Sequence, residues 1–141
     1  MKVYEAMTRN PVTLSPQATI AETVKVMVLR KIGSILVTEE NELKGILTER
    51  DILERVIAKE RDPKTTRLKD VMTQPVINVE GSAELVEASD LMKKNNIRRL
   101  AVLSEEGKLV GIITVDDIAR SLRRSAEELA LTYYIMARSR R

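Results

Sequence analysis

The chain has 141 residues, enough for one compact domain or two half-domains sharing a core. It lacks Cys, His, Phe and Trp and carries a formal charge of +3. That excludes disulfides, thiolate nucleophiles, imidazole bases and the usual zinc ligands, and leaves the core to Val, Ile, Leu, Met and Ala.

The sequence opens a pattern at Met7-Thr8-Arg9-Asn10-Pro11-Val12 that returns as Met72-Thr73-Gln74-Pro75-Val76. After the first Pro, Val12-Thr13-Leu14 reads as a short extended segment. Thr19 followed by Glu22 is a capping box, and Ile20, Val24, Met27 and Val28 mark one face of the helix it starts. Two hairpin strands follow, Ile35-Leu36-Val37 and Leu43 to Leu47, around the polar turn 39–42. A second helix starts at Thr48, with Ile52, Leu53, Val56 and Ile57 as its apolar stripe. The charged segment 61–65 is the linker.

The same order then repeats: an extended segment at 76–79, a helix with Leu85, Ala88, Leu91 and Met92, strands at 100–103 and 109–113, and a helix from Thr114 with Ile118, Ala119 and Leu122. A last helix is expected over 126–138, with Leu129, Ala130, Tyr133 and Met136 on one side. The repeat length of about 65 residues suits a duplicated supersecondary unit rather than a solenoid. The fold class is therefore α/β (α+β): two pseudo-symmetric β-α-β-β-α units packed through small sheets that cannot bury both faces alone. The expected division is 1–62, a linker at 63–67, 68–124, and a basic C-terminal helix and tail at 125–141.

Two polar pairs recur, Thr48 with Asp51 and Thr114 with Asp117, each where a strand hands over to a helix. An ionised Asp accepts hydrogen bonds on two oxygens, which suits the vicinal diol of a ribose. A helix start with a Thr hydroxyl suits phosphate, and Gly45 and Gly111 would let a ligand lie against the backbone. The same Thr-x-x-Asp spacing also makes a capping box with no ligand, and a duplicated fold duplicates its caps. The four repeat methionines, Met7, Met27, Met72 and Met92, read as core fillers.

Residues 3–124 resemble a tandem pair of CBS domains, the regulatory unit often called a Bateman module. The resemblance rests on Met-Thr-(x)-Pro-Val at each repeat start and Gly-h-h-Thr-x-x-Asp-Ile at each end, where h is apolar. It implies that Asp51 and Asp117 hold an adenosine ribose, with Thr48 and Thr114 beside ribose or phosphate. Segments 12–14 and 76–78, with Thr13 and Ile77, would wall the adenine. Arg98 and Arg99 would meet phosphate; repeat 1 has Gly33 and Ser34 there, so Arg50 would partly compensate, whereas repeat 2 has Asp116 at the Arg50 position. Repeat 2 is then the better-equipped half, and repeat 1 depends on cations supplied across the interface. The Pro that such strands often carry is replaced by Leu36 and Ala101.

The expected function is regulatory: sensing AMP, ADP or ATP, AMP above all, and acting on an unidentified protein in trans, with homodimerisation through the second helices. No catalytic cofactor and no enzyme activity are implied, since no nucleophile–base arrangement stands out. The alternatives are a structural dimerisation adapter with inactive sites, an S-adenosylmethionine sensor, and a nucleic-acid binder using the basic tail. That tail holds Arg120, Arg123, Arg124, Arg138, Arg140 and Arg141, but with only Tyr133 and Tyr134 as stacking platforms it reads better as a solvated helix. No stretch approaches the roughly 20 apolar residues of a membrane span and no signal peptide opens the chain, so the expected location is cytoplasmic.

Overall fold

The computed structural model describes residues 1–138; Arg140 and Arg141 of the basic tail, and the side chains of Met136 and Arg138, lie outside what it describes. Its elements are helix α1 (Val3–Ala6), strands β1 (Thr8–Arg9) and β2 (Thr13–Leu14), helix α2 (Ile20–Arg30), strands β3 (Ser34–Glu39) and β4 (Glu42–Thr48), and helix α3 (Glu49–Ile52). A π-helical turn, Leu53–Ile57, extends α3. The second half runs α4 (Leu68–Val71), β5 (Asn78–Glu80), α5 (Leu85–Asn95), β6 (Arg99–Leu103), β7 (Leu109–Thr114) and α6 (Val115–Arg138).

Local chemistry fixes the ends of the two long repeat helices. The Thr19 hydroxyl accepts from Glu22 N at 3.1 Å and the Glu22 carboxylate accepts from Thr19 N at 3.2 Å, closing the expected capping box on α2. Both α2 and α5 are 11 residues long and end on a left-handed residue, Lys31 at φ 56° and Asn96 at φ 51°. Such a residue lets the chain leave a helix sharply and satisfies its last carbonyls. In the first hairpin Glu40 and Asn41, at φ 51° and 66°, form the two-residue turn joining β3 to β4.

Each half builds a sheet in the same way: β2 parallel to β3 and β3 antiparallel to β4, then β5 parallel to β6 and β6 antiparallel to β7. The second sheet gains a fourth strand, because β1 crosses over and pairs antiparallel with β7. The counterpart crossing is a single bridge between Thr73 and Ile46.

The opening helices are exchanged between the halves. Val3 of α1 is fully buried with Val79, Leu85, Leu100 and Ile113, whereas Leu68 and Val71 of α4 are buried with Ile20, Ile35, Leu47 and Val56. Backbone bonds fix this arrangement, with Leu68 N donating to Ala18 O at 2.8 Å and Val3 N to Ala83 O at 2.9 Å. Near α1, Lys2 lies 2.8 Å from Glu84, and hydrogen bonds from Lys2 and the N-terminal ammonium hold the Glu84 carboxyl below the usual range. The sheets meet through Leu36, Ile46 and Ala101, so the two positions expected to carry Pro instead supply apolar surface between the halves. Contiguous segments of sequence thus do not correspond to the two cores.

Gly45 and Gly111 serve these crossings rather than a ligand. A Cβ on Gly111 would lie 2.8 Å from the Thr8 carbonyl oxygen and 2.5 Å from Met7 Sδ; at Gly45 the space is filled by the Met72 side chain. Gly111→Ala is expected to cost about 1–3 kcal/mol through overpacking against fixed backbone. Gly45→Ala should cost less, since only a flexible methionine has to move. Urea midpoints of the two variants check this, and equal losses would contradict it.

The second helix of repeat 2 and the helix expected over 126–138 are one: α6 runs unbroken for 24 residues, with no interruption at 124–125. Leu129, Leu131, Tyr133 and Ile135 on its distal half are exposed. Among the described residues, no helix is long and apolar enough to cross a membrane.

Candidate functional site

Thr48 ends β4 and caps α3; Thr114 ends β7 and precedes α6. At the first, Thr48 N donates to Asp51 Oδ2 at 3.0 Å and Asp51 N donates to the Thr48 hydroxyl oxygen at 3.2 Å. At the second, the same two bonds measure 2.9 Å and 3.1 Å between Thr114 and Asp117. Both carboxylates are buried. The capping boxes are therefore present, and each leaves one carboxylate oxygen, Oδ1, outside the cap.

The two remaining oxygens differ. Arg55 Nη2 stands 3.5 Å from Asp51 Oδ1, beyond ordinary hydrogen-bond length, while its Nη1 donates to Val71 O at 2.8 Å. The Arg120 guanidinium, by contrast, is hydrogen-bonded directly to Asp117 Oδ1. Asp51 Oδ1 is thus the less engaged of the two oxygens, while Asp117 Oδ1 already accepts from α6.

Two clefts lie between the halves. The Asp51 cleft has a volume of about 470 Å³. Thr48, Asp51 and Arg50 from repeat 1 line it together with Ile77, Arg98 and Arg99 from repeat 2. Pro75, Val76 and Ile46 complete an apolar wall. The Asp117 cleft is about 240 Å³ and is lined by Thr114, Val12, Ser34 and again Arg99. The lining differs from the expectation for repeat 2: Arg98 and the wall expected to take adenine lie in the Asp51 cleft, because each repeat's strands close on the other's cap. The cations that repeat 1 lacks are supplied across the interface.

Arg99 stands between the clefts and donates to Gly33 O at 3.0 Å. Glu49 N donates to the same carbonyl at 3.1 Å. Arg98 is exposed, and among the described residues its guanidinium has no ion pair. Arg50 is not a free cation: its Nε lies 2.6 Å from Glu54 Oε1. Asp116 is exposed and lines neither cleft.

Thr13 is a correction. It is exposed on β2 and outside both clefts. Thr13 pairs with Leu36 and Asn78 with Ala101, which makes Val12 the counterpart of Ile77. Matching the repeats on their prolines had shifted this segment by one residue. The spacing from Met7 to Thr13 equals that from Met72 to Asn78, so only the proline is displaced by one position between the repeats. Sequence reasoning also passed over Glu49 and Glu54 on the rim of the Asp51 cleft. The spacing of four from Arg50 to Glu54 on a helix was the available signal for that pair.

The comparisons agree with this architecture. The CBS domain pattern matches the chain twice, over residues 3–58 and 68–124. The uncharacterized protein MK0525 of Methanopyrus kandleri is 40% identical over 119 residues, 84% of this chain but 61% of its own length, so the chain spans about three-fifths of that relative. The CBS domain-containing protein YhcV of Bacillus subtilis is 38% identical over 117 residues, 83% of this chain and 82% of its own. Among solved structures, the CBS domain protein PAE2072 from Pyrobaculum aerophilum, complexed with AMP, superposes with a TM-score of 0.76 at 28% identity, covering 83% of this chain and 89% of that one. Two matched repeats, an interleaved pair of small sheets and a Thr-x-x-Asp cap at the mouth of each cleft lead to one assignment: this chain belongs to the CBS domain family, as a tandem pair.

Proposed function

We propose that the protein is a regulatory, non-catalytic module that binds one adenine nucleotide in the Asp51 cleft and acts on a separate protein as a homodimer. The observation that carries this reading is the convergence in one cleft of Thr48 and Asp51 from one repeat with Ile77, Arg98 and Arg99 from the other. In this reading Asp51 Oδ1 accepts from the ribose diol, the wall of Val76 and Ile77 packs on the base, and Arg98 and Arg99 meet phosphate. The AMP complex of the similar PAE2072 supports the ligand class. A ligand gripped by both halves favours the packing that fits it best and so shifts the module between states. Dimerisation is supported by exposed Leu53, Ile57, Val28 and Leu29 beside an apolar groove between α2 and α3.

Saturating AMP, ADP or ATP is expected to raise the thermal midpoint by several degrees. Ligand at a hundred times its Kd adds about 2.7 kcal/mol. An unmoved midpoint with all three would contradict the reading. S-adenosylmethionine carries the same diol and belongs in the same screen.

The capping boxes favour a second reading, a dimerisation adapter with silent clefts, since each carboxylate already has a structural task. A protein that sediments as a dimer and answers to no adenosine compound would be that adapter.

A further inference from the structure

On the adenine-nucleotide reading above, we propose that Glu49 and Glu54 make the Asp51 cleft selective for a nucleoside monophosphate over di- and triphosphates. Three arginines line this cleft, but their charge is unevenly available. Arg50 is neutralised by Glu54 at 2.6 Å. Arg98 and Arg99 have no ion pair among the described residues; Arg99 is held only by the Gly33 carbonyl.

Glu49 is the unpaired acid. It is exposed on the rim, and among the described residues no cation pairs with it. A Cβ placed on Gly33 would lie 3.4 Å from Glu49 Oε1 and 3.7 Å from Arg99 Nη1, so the carboxylate shares the Gly33 corner of the cleft with the guanidinium expected to meet phosphate without forming an ion pair with it. Two uncompensated arginines match the two charges of a monophosphate. Each further phosphate adds negative charge with no cation left, because Glu54 holds Arg50, and meets the Glu49 carboxylate at the rim. Like charges about 5 Å apart at a partly solvated surface repel enough to cost roughly tenfold in affinity.

The other repeat shows that the fold does not demand these acids. The positions matching Glu49 and Glu54, counted from the two capping threonines, are Val115 and Arg120. Arg120 has turned inward to Asp117, so the second cleft lacks these acids and its carboxylate oxygen Oδ1 already accepts one hydrogen bond.

The test is calorimetric titration of the full chain with AMP, ADP and ATP in metal-free buffer, repeated on Glu49→Gln and on Glu49→Gln/Glu54→Gln. The parent is expected to bind AMP at least about tenfold tighter than ATP, and that gap should narrow in high salt, where exposed charges are screened. In the double variant AMP and ATP should agree within about threefold, with Glu49→Gln intermediate. A parent that binds ATP as tightly as AMP, or variants that keep the parent's ratio, overturns the selectivity while leaving nucleotide binding intact. A parent that binds none of the three overturns the nucleotide reading and the selectivity together.

Discussion

Asp51→Ala is expected to weaken AMP binding by about a hundredfold or more. A charge-assisted hydrogen bond contributes about 1.5–3 kcal/mol, so the lost ribose contacts amount to roughly 3 kcal/mol, and every 1.4 kcal/mol is tenfold. The same change removes the acid of the α3 capping box, at a stability cost of about 1 kcal/mol. Asp117→Ala should lose comparable stability, because it breaks the matching cap and frees Arg120, yet leave AMP affinity within about twofold. The contrast separates the two uses of one motif: both aspartates cap, and on the proposed function only Asp51 reads a ligand. Isothermal titration of both variants checks it, and a hundredfold loss in Asp117→Ala with none in Asp51→Ala would reverse the assignment.

Leu68→Ala should lower stability by about 3 kcal/mol, the usual cost of a Leu-to-Ala cavity in a close-packed core. That is a large share of the 5–15 kcal/mol a domain of this kind commands. Leu68 opens repeat 2 in sequence but is fully buried in the core of repeat 1. The exchange of α1 and α4 ties each core to the other, so the loss should appear in both halves at once. Amide exchange should rise together in β3 and in β6, within a single urea transition. Exchange that rises in repeat 1 alone would mean the halves unfold separately. Leu29→Ala, at a side chain 79% exposed, should change stability by no more than about 0.5 kcal/mol.

The repeated β-α-β-β-α order was legible because each element carries its own local signal. Thr19 and Glu22 announce a helix start, alternating apolar residues announce strands, and the duplication tests each reading against its copy. What the sequence concealed was nonlocal. Four-residue helices such as α1 and α4 are too short to show a helical period, and nothing near Leu68 says that its partners are Ile20 and Leu47. The glycines show the same limit. A Gly before a cap suits a bound ligand and a crossing backbone equally well, and only the position of Thr8 and Met7 against Gly111 decides between them.

The site divided along the same line. Asp51, Thr48, Ile77, Arg98 and Arg99 were all named from sequence, but the pairing of Arg98 with Asp117 assumed that each repeat completes its own cleft. The exchange makes each cleft a joint product of both halves, which no local pattern encodes. Thr13 failed for a smaller reason: the prolines used to align the two segments stand one position out of step with the strands. In α6 the apolar stripe continues past residue 124 without a Gly or Pro to stop it, and the helix continues with it.

The most direct test of the central claim is a crystal structure of the chain grown with AMP. The account predicts one nucleotide per chain in the Asp51 cleft. Its ribose hydroxyls should lie within hydrogen-bonding distance of Asp51, its base against Val76 and Ile77, and its phosphate toward Arg98 and Arg99. Nucleotide seated instead on Asp117, with the Asp51 cleft empty, would contradict it.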